Sequence, residues 1–199
     1  MNLIELETIL RDQKTELDLL REDNLISRPE ENLIDLRSRQ AQVVIGVRRS
    51  GKSTLCFKAL EKANVNYAYV NFDDERLAEC RREHLDLILE ALYRIYGKFD
   101  YLFFDEIQNV DGWPLFVNRL LRQRIHMIIT GSNAKLLSTD LATHLTGRHH
   151  KIELFPFSFK DWCEAKDLNY DGMTTRNRGL LGKEFNEYLH TGGFPELIY

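Results

Sequence analysis

Apolar positions along the chain change period more than once. Leu3, Leu6, Ile9 and Leu10 recur at the spacing of one helix face, and Leu17 and Leu20 continue it. Ser27-Arg28-Pro29 interrupts that pattern, and a second short helix is predicted through Leu33, Ile34 and Leu36. Short apolar runs follow at Val43-Val44-Ile45, Tyr67-Ala68-Tyr69-Val70, Tyr101-Leu102-Phe103-Phe104 and Met127-Ile128-Ile129, with a weaker fifth at Ile152-Glu153-Leu154-Phe155. The first four are mostly unbroken and rich in β-branched or aromatic residues, as strands buried on both faces of a parallel sheet must be. Helices are predicted between them over 52–63, about 75–96, about 113–124 and about 134–144. Such alternation predicts an α/β sheet with right-handed crossovers. After Phe155 the pattern lapses into Pro156, a short helix over 158–166 and a polar stretch over 169–179. A further helix starts near 184, and the chain closes on Gly192-Gly193-Phe194-Pro195-Glu196. The expected organisation is a helical extension over 1–40, a core over 41–156, and a helical segment over 157–199 that begins a truncated further region.

The run Gly46-Val47-Arg48-Arg49-Ser50-Gly51-Lys52-Ser53 matches the phosphate-loop pattern of two glycines with four residues between them, then Lys and Ser. A random chain of this length carries one about 1% of the time, and here the context also fits. Val43-Val44-Ile45 precedes the motif as a strand, and an amphipathic helix opens at Lys52. Glycines let successive N–H groups turn inward toward phosphate oxygens, and the helix N-terminus adds its dipole. Lys52 is expected on the β- and γ-phosphates, and Ser53 on magnesium. Arg48 and Arg49 add positive potential, and Ser50 and Thr54 complete the expected nucleotide contacts.

Asp105 and Glu106 follow the third apolar run directly. A buried parallel strand ends at the crevice where ligands bind, so Asp105 is expected to hold magnesium and Glu106 to activate a water. Taken alone, the pair fits helix-capping acids equally well. The next strand ends in Thr130-Gly131-Ser132-Asn133, which places Ser132 and Asn133 near the same crevice, as γ-phosphate or water ligands or as caps of the helix after them. Asn71-Phe72-Asp73-Asp74-Glu75 is read mainly as the cap of the following helix.

In order, these pieces resemble the AAA-type ATPases of the additional-strand class. More narrowly, they resemble a bacterial and archaeal family of such ATPases usually followed by an uncharacterised C-terminal domain. The matching residues are Gly46 to Thr54, Tyr69 to Asp74, Phe103 to Gln108, Ile129 to Asn133 and Leu145-Thr146-Gly147-Arg148, then Phe155 to Phe159 and Gly192 to Glu196. The resemblance implies a P-loop NTPase three-layer sandwich with a mainly parallel five-stranded sheet in the order 5-1-4-3-2. It implies ATP and Mg2+ as ligands, and hydrolysis coupled to conformational change on an unknown client. Arg148 takes the place of the family's Gly-Arg motif, as an arginine finger or as a γ-phosphate contact in the same subunit. A homo-oligomer and a protein or DNA client are left open.

Composition excludes several other classes. The chain has 199 residues, 43% hydrophobic and 29% charged, with a net charge of −4. That is ordinary for a globular chain and gives no overall attraction to nucleic acid. Arg119, Arg122 and Arg124 form a local basic run, read first as a solvated helix face. Three scattered cysteines are neither a disulfide framework nor a zinc site. The absence of an apolar leader or a span-length apolar stretch leads us to expect a cytoplasmic protein without membrane contact. Adjacent His149 and His150 in a strand point to opposite faces, so no protein-held metal beyond magnesium is expected. There is no Asn-Lys-x-Asp guanine-reading motif, no arginine-rich lid of a small-molecule kinase, and no second helicase motor. The alternative to a slow ATPase is a nucleotide-gated binding switch with little hydrolysis of its own.

Overall fold

The structure, a computed structural model, describes residues 1–23, 25–132, 145–168 and 174–198. Asn133 and the helix expected over 134–144 lie outside the described residues.

Five strands form one sheet: β1 (Ala41–Gly46), β2 (Tyr67–Asn71), β3 (Tyr101–Asp105), β4 (His126–Ser132) and β5 (His149–Leu154). The spatial order is β2-β3-β4-β1-β5, and all four pairings are parallel. This is the predicted order read from the other edge. β1 is buried at every position because it lies between β4 and β5 with helices above and below. That double burial explains why its sequence is an apolar run rather than an alternation.

Alternate strand residues feed two apolar layers. Val43, Ile45, Val70, Leu102, Phe104 and Ile129 face α1 (Leu3–Leu20), α3 (Leu85–Tyr96) and α4 (Trp113–Arg122). Val44, Tyr69, Phe103, Ile128, Ile152 and Leu154 face α2 (Lys52–Ala63). The result is the expected three-layer sandwich, and the site forms above the second layer. The N-terminal helix takes part in the packing: Leu6 and Leu10 are fully buried in the larger cluster, and Gln13 reaches the sheet by donating to Asn71 O at 3.0 Å.

Helix α2 spans the predicted residues. The helix expected over 75–96 is divided into 3-10 turns at Glu75–Leu77 and Arg82–His84, followed by α3. Asp74 begins the first turn by accepting the Arg76 N–H at 3.0 Å, and the chain changes direction before Leu85. Pro29–Leu33 is likewise a 3-10 turn, and Ile34 is extended and buried, so the second predicted helix stops early. α5 (Phe159–Ala165) matches the expectation, with Ser158 and Asp161 forming a capping box. α6 (Thr175–Thr191) starts well before residue 184, because Thr174 caps it by accepting the Asn177 N–H at 3.2 Å. Among the described residues no helix is long and apolar enough to cross a membrane. Cys56, Cys80 and Cys163 are free and buried.

Candidate functional site

A cavity of about 530 Å³ opens at the C-terminal ends of β1, β2 and β3. Its lining includes Lys52, Ser53, Asp105 and Glu106 together with the apolar Leu25, Ile26, Phe157 and Pro195. The size and the mixture of charged and apolar walls suit one nucleotide.

The phosphate loop begins where β1 ends. A side chain on Gly46 would place its Cβ 2.2 Å from Leu154 O, so only glycine lets β1 and β5 stay paired there. Gly46→Ala is therefore expected to lower stability by about 1–3 kcal/mol, the usual cost of overpacking. Because the loop springs from that residue, nucleotide affinity should fall with it; urea unfolding and nucleotide titration would measure both. Further on, Arg49 and Gly51 take left-handed backbone angles, φ 67° and φ 87°, which curl the loop back toward α2. Ser50 is fully buried and its hydroxyl has no hydrogen-bond partner.

Lys52 is 4% exposed; its Nζ donates to Val47 O at 3.1 Å and lies 3.4 Å from Glu106 Oε1. Arg48 and Arg49 project outward, pairing with Asp73 at 2.9 Å and Glu196 at 3.0 Å. Thr54 lines the cavity. Ser132 ends β4 as the register partner of Gly46 and does not line the cavity.

The two carboxylates are held differently. Asp105 is buried, with hydrogen bonds from the Thr130 hydroxyl and from Tyr69 Oη at 3.4 Å, and with the Ser53 hydroxyl beside it. Burial pushes its carboxyl above the ordinary range, the two hydroxyls pull it back, Glu106 raises it and Lys52 lowers it. Glu106 sits at φ 54°, left-handed, which costs a residue with a Cβ about 1–2 kcal/mol. Its N–H donates to Thr130 Oγ1 at 3.1 Å, and Gln108 Nε2 donates to its carboxylate.

Ser53 and Asp105 bring two hard oxygen donors together, as Mg2+ requires. Among the described residues no three acidic, histidine or cysteine side chains gather around a metal site. A cation here would take the rest of its shell from phosphates and water, which is how Mg2+ is ordinarily held beside a nucleotide.

Arg148 lies elsewhere. It immediately precedes β5, its carbonyl accepts from Ala41 N at 2.9 Å, and its guanidinium donates to Asn118 Oδ1 at 3.2 Å. The length of β1, about 17 Å at strand rise, separates it from the phosphate loop. The reading in which Arg148 touches the γ-phosphate of its own chain is therefore corrected: parallel pairing of β5 with β1 puts it at the opposite end of the sheet. It lines a second cavity, of about 640 Å³, with Arg82, Arg119 and Arg122.

Several site residues escaped the sequence reading. Tyr69 sits inside an apolar strand run, and Thr130 opens the polar strand end of which only Ser132 and Asn133 are read as ligands. Arg28, buried before β1, donates to Ser50 O at 3.1 Å and to Phe155 O at 3.0 Å, with its guanidinium 4.6 Å above the Phe157 ring. Pro195 and Glu196 belonged to a recognised Gly-Gly-Phe-Pro-Glu run, but nothing local said that it folds over the loop. It does so because Gly193 O accepts the Phe157 N–H at 2.7 Å, and a Cβ there would meet Phe157 O at 2.0 Å.

The sequence profile of the AAA domain matches residues 38–163. The chain belongs to the AAA domain family. It is similar to an uncharacterized protein of Methanocaldococcus jannaschii, 38% identical over 91% of this chain and 41% of that protein. An uncharacterized protein of Haemophilus influenzae is 37% identical over 79% of this chain and 40% of its own length. The chain thus spans about two fifths of the length of these curated relatives. Among solved structures it resembles AMPPCP-bound DnaA from Aquifex aeolicus, with a TM-score of 0.51 and 22% identity over 83% of this chain and 60% of that one. It also resembles a Walker-type ATPase of Pyrococcus abyssi, with a TM-score of 0.55 and 16% identity over 88% and 66% of the two chains. At those identities the likeness is one of fold. Fold and family together make this an AAA-type P-loop ATPase core.

Proposed function

We propose that this domain binds ATP with Mg2+ and hydrolyses it slowly, using the change at the phosphate loop to move the segments that wall the cleft. The observation that carries this reading is Glu106, turned back by its left-handed backbone to lie 3.4 Å from Lys52. A domain that only held nucleotide would have no need of a second carboxylate held against strain at the phosphate end.

Lys52 would leave its contacts with Val47 O and Glu106 for the β- and γ-phosphates. N–H groups of the loop and of the first turn of α2 would face the phosphate oxygens. Ser53 and Asp105 would hold Mg2+, which when bound neutralises charge on the β- and γ-phosphate oxygens. Glu106, relieved of its ion pair, would orient water and accept its proton. The apolar side chains Leu25 and Ile26 of the cavity wall would pack against the base. The core over 41–156 supplies the chemistry, while 1–40 and 157–199 supply Leu25, Ile26, Phe157 and Pro195 as walls. The direct experiment is phosphate release from Mg-ATP by the purified chain. Absence of Mg2+-dependent turnover at any protein concentration would favour the binding-switch reading instead.

Arg148, at the far end of the sheet from the loop of its own chain, would act toward a second copy. An arginine supplied in this way makes turnover rise with protein concentration. Arg148→Ala and Lys52→Ala should each be nearly inactive alone, with turnover lost by about 10³-fold or more for an arginine finger. Mixed, they should recover part of the wild-type rate, because the second variant still supplies Arg148 to the intact loop of the first. A mixture no more active than its components would remove Arg148 from the catalytic set. In this reading the domain works in the cytoplasm on a protein or DNA client.

A further inference from the structure

Thr130 lies in β4 between Val44 of β1 and the end of β3, with no exposed surface. It follows Met127, Ile128 and Ile129, and it shares the α2-facing side of the sheet with Ile128. A hydroxyl in such a layer must find partners, and Thr130 has one in each carboxylate residue of the site. It donates to Asp105 Oδ1 and accepts the Glu106 N–H at 3.1 Å.

Strand geometry gives the second contact its meaning. Were Glu106 extended like the residues before it, its side chain would point to the opposite face from Asp105. The left-handed turn at Glu106 reverses that direction and returns its carboxylate to Lys52. Thr130 holds the N–H of the turned residue and one carboxylate oxygen of the residue before it. One side chain therefore sets the direction of both acids.

We infer that Thr130 is a positioning residue, whose hydroxyl couples the proposed magnesium-binding carboxylate to the proposed catalytic one. This rests on the ATPase reading for turnover, while its effect on Mg2+-dependent nucleotide binding is read independently. Thr130→Val removes the hydroxyl with little change of shape, Thr130→Ala is a second hydroxyl-free chain, and Thr130→Ser restores the group. With a fluorescent ATP analogue, the affinity gained on adding Mg2+ should shrink about tenfold or more in the hydroxyl-free variants, as for partners that orient metal ligands, and be kept in Thr130→Ser. Affinity without Mg2+ should stay within about twofold, since Lys52 and the loop N–H groups are untouched. Where the wild type turns over, kcat should fall about 10- to 100-fold with KM little changed, and recover in Thr130→Ser.

An unchanged Mg2+ gain in Thr130→Val overturns the inference, as does a Thr130→Ser as impaired as Thr130→Val. So does failure of both hydroxyl-free chains to fold, which would make the role structural. A wild type without turnover sinks the ATPase reading alone, and the Mg2+ gain still decides the place of Thr130.

Discussion

Glu106→Gln should lower ATP turnover by about 10²- to 10⁴-fold, the span by which a positioned general base accelerates proton transfer. The substitution keeps the side chain's size and leaves the backbone contact with Thr130 intact. What it removes is the negative charge and the basic oxygen facing Lys52 at 3.4 Å. Nucleotide affinity should hold or tighten, because Lys52 loses the internal partner from which it must be drawn. The converse variant, Lys52→Ala, should lose affinity as well as turnover. Phosphate release at saturating Mg-ATP, beside titration with a fluorescent nucleotide, separates the two effects. Turnover within a few-fold of wild type in Glu106→Gln would falsify the assignment of Glu106 as the base. The expected loss corresponds to about 2.7–5.5 kcal/mol of transition-state stabilisation. The upper part of that range exceeds the roughly 3 kcal/mol that one hydrogen bond to a charged group can contribute, and a loss there identifies chemistry.

The sequence carried the sheet almost completely because β1 to β4 are buried on both faces and must be written in apolar residues, while β5, at the edge, buries only Ile152 and Leu154 and reads more weakly. It carried the phosphate loop because Gly46, Gly51, Lys52 and Ser53 are each required at a fixed place by the backbone or the charge. Thr130 was visible as the first residue of a polar strand end, but its role depends on a neighbour across the sheet, Asp105, that order along the chain does not reveal. Arg148 shows the limit of order along a chain. It closes a run of recognisable motifs, yet the parallel return to β5 places it at the far end of the sheet from them. Pro195 and Glu196 lie about 150 residues from the loop they cover, and local pattern holds no information about a contact made at that separation. The broken helix before α3 depends on Asp74 choosing the Arg76 N–H over continued helix, a competition that helical periodicity does not register.

The largest loss of stability is expected at Phe103. Its ring has no exposed surface, is paired in register with Tyr69 and Ile128, and packs 5.0 Å from the Tyr69 ring. Phe103→Ala would leave a void between β3 and α2, at a cost of about 3–5 kcal/mol. That is a large part of the 5–15 kcal/mol by which domains are usually stable. For a chain of this size it lowers the melting temperature by about 10 °C. Tyr69→Phe is the informative contrast, since it keeps the packing and removes only the long hydrogen bond to Asp105. Its stability cost should stay near the roughly 0.5–1.5 kcal/mol of a single hydrogen bond, or up to about 3 kcal/mol for one to a charged group. Thermal unfolding followed by circular dichroism would rank the two. If Tyr69→Phe proves the more damaging, the layer beneath the site is held by its polar contacts rather than by its rings. The carboxylates would then depend on Tyr69 for support as much as on Thr130. If Phe103→Ala is the more damaging, as the packing requires, then the apolar layer fixes the height of β3, and the hydroxyls above it need only choose the direction of Asp105 and Glu106.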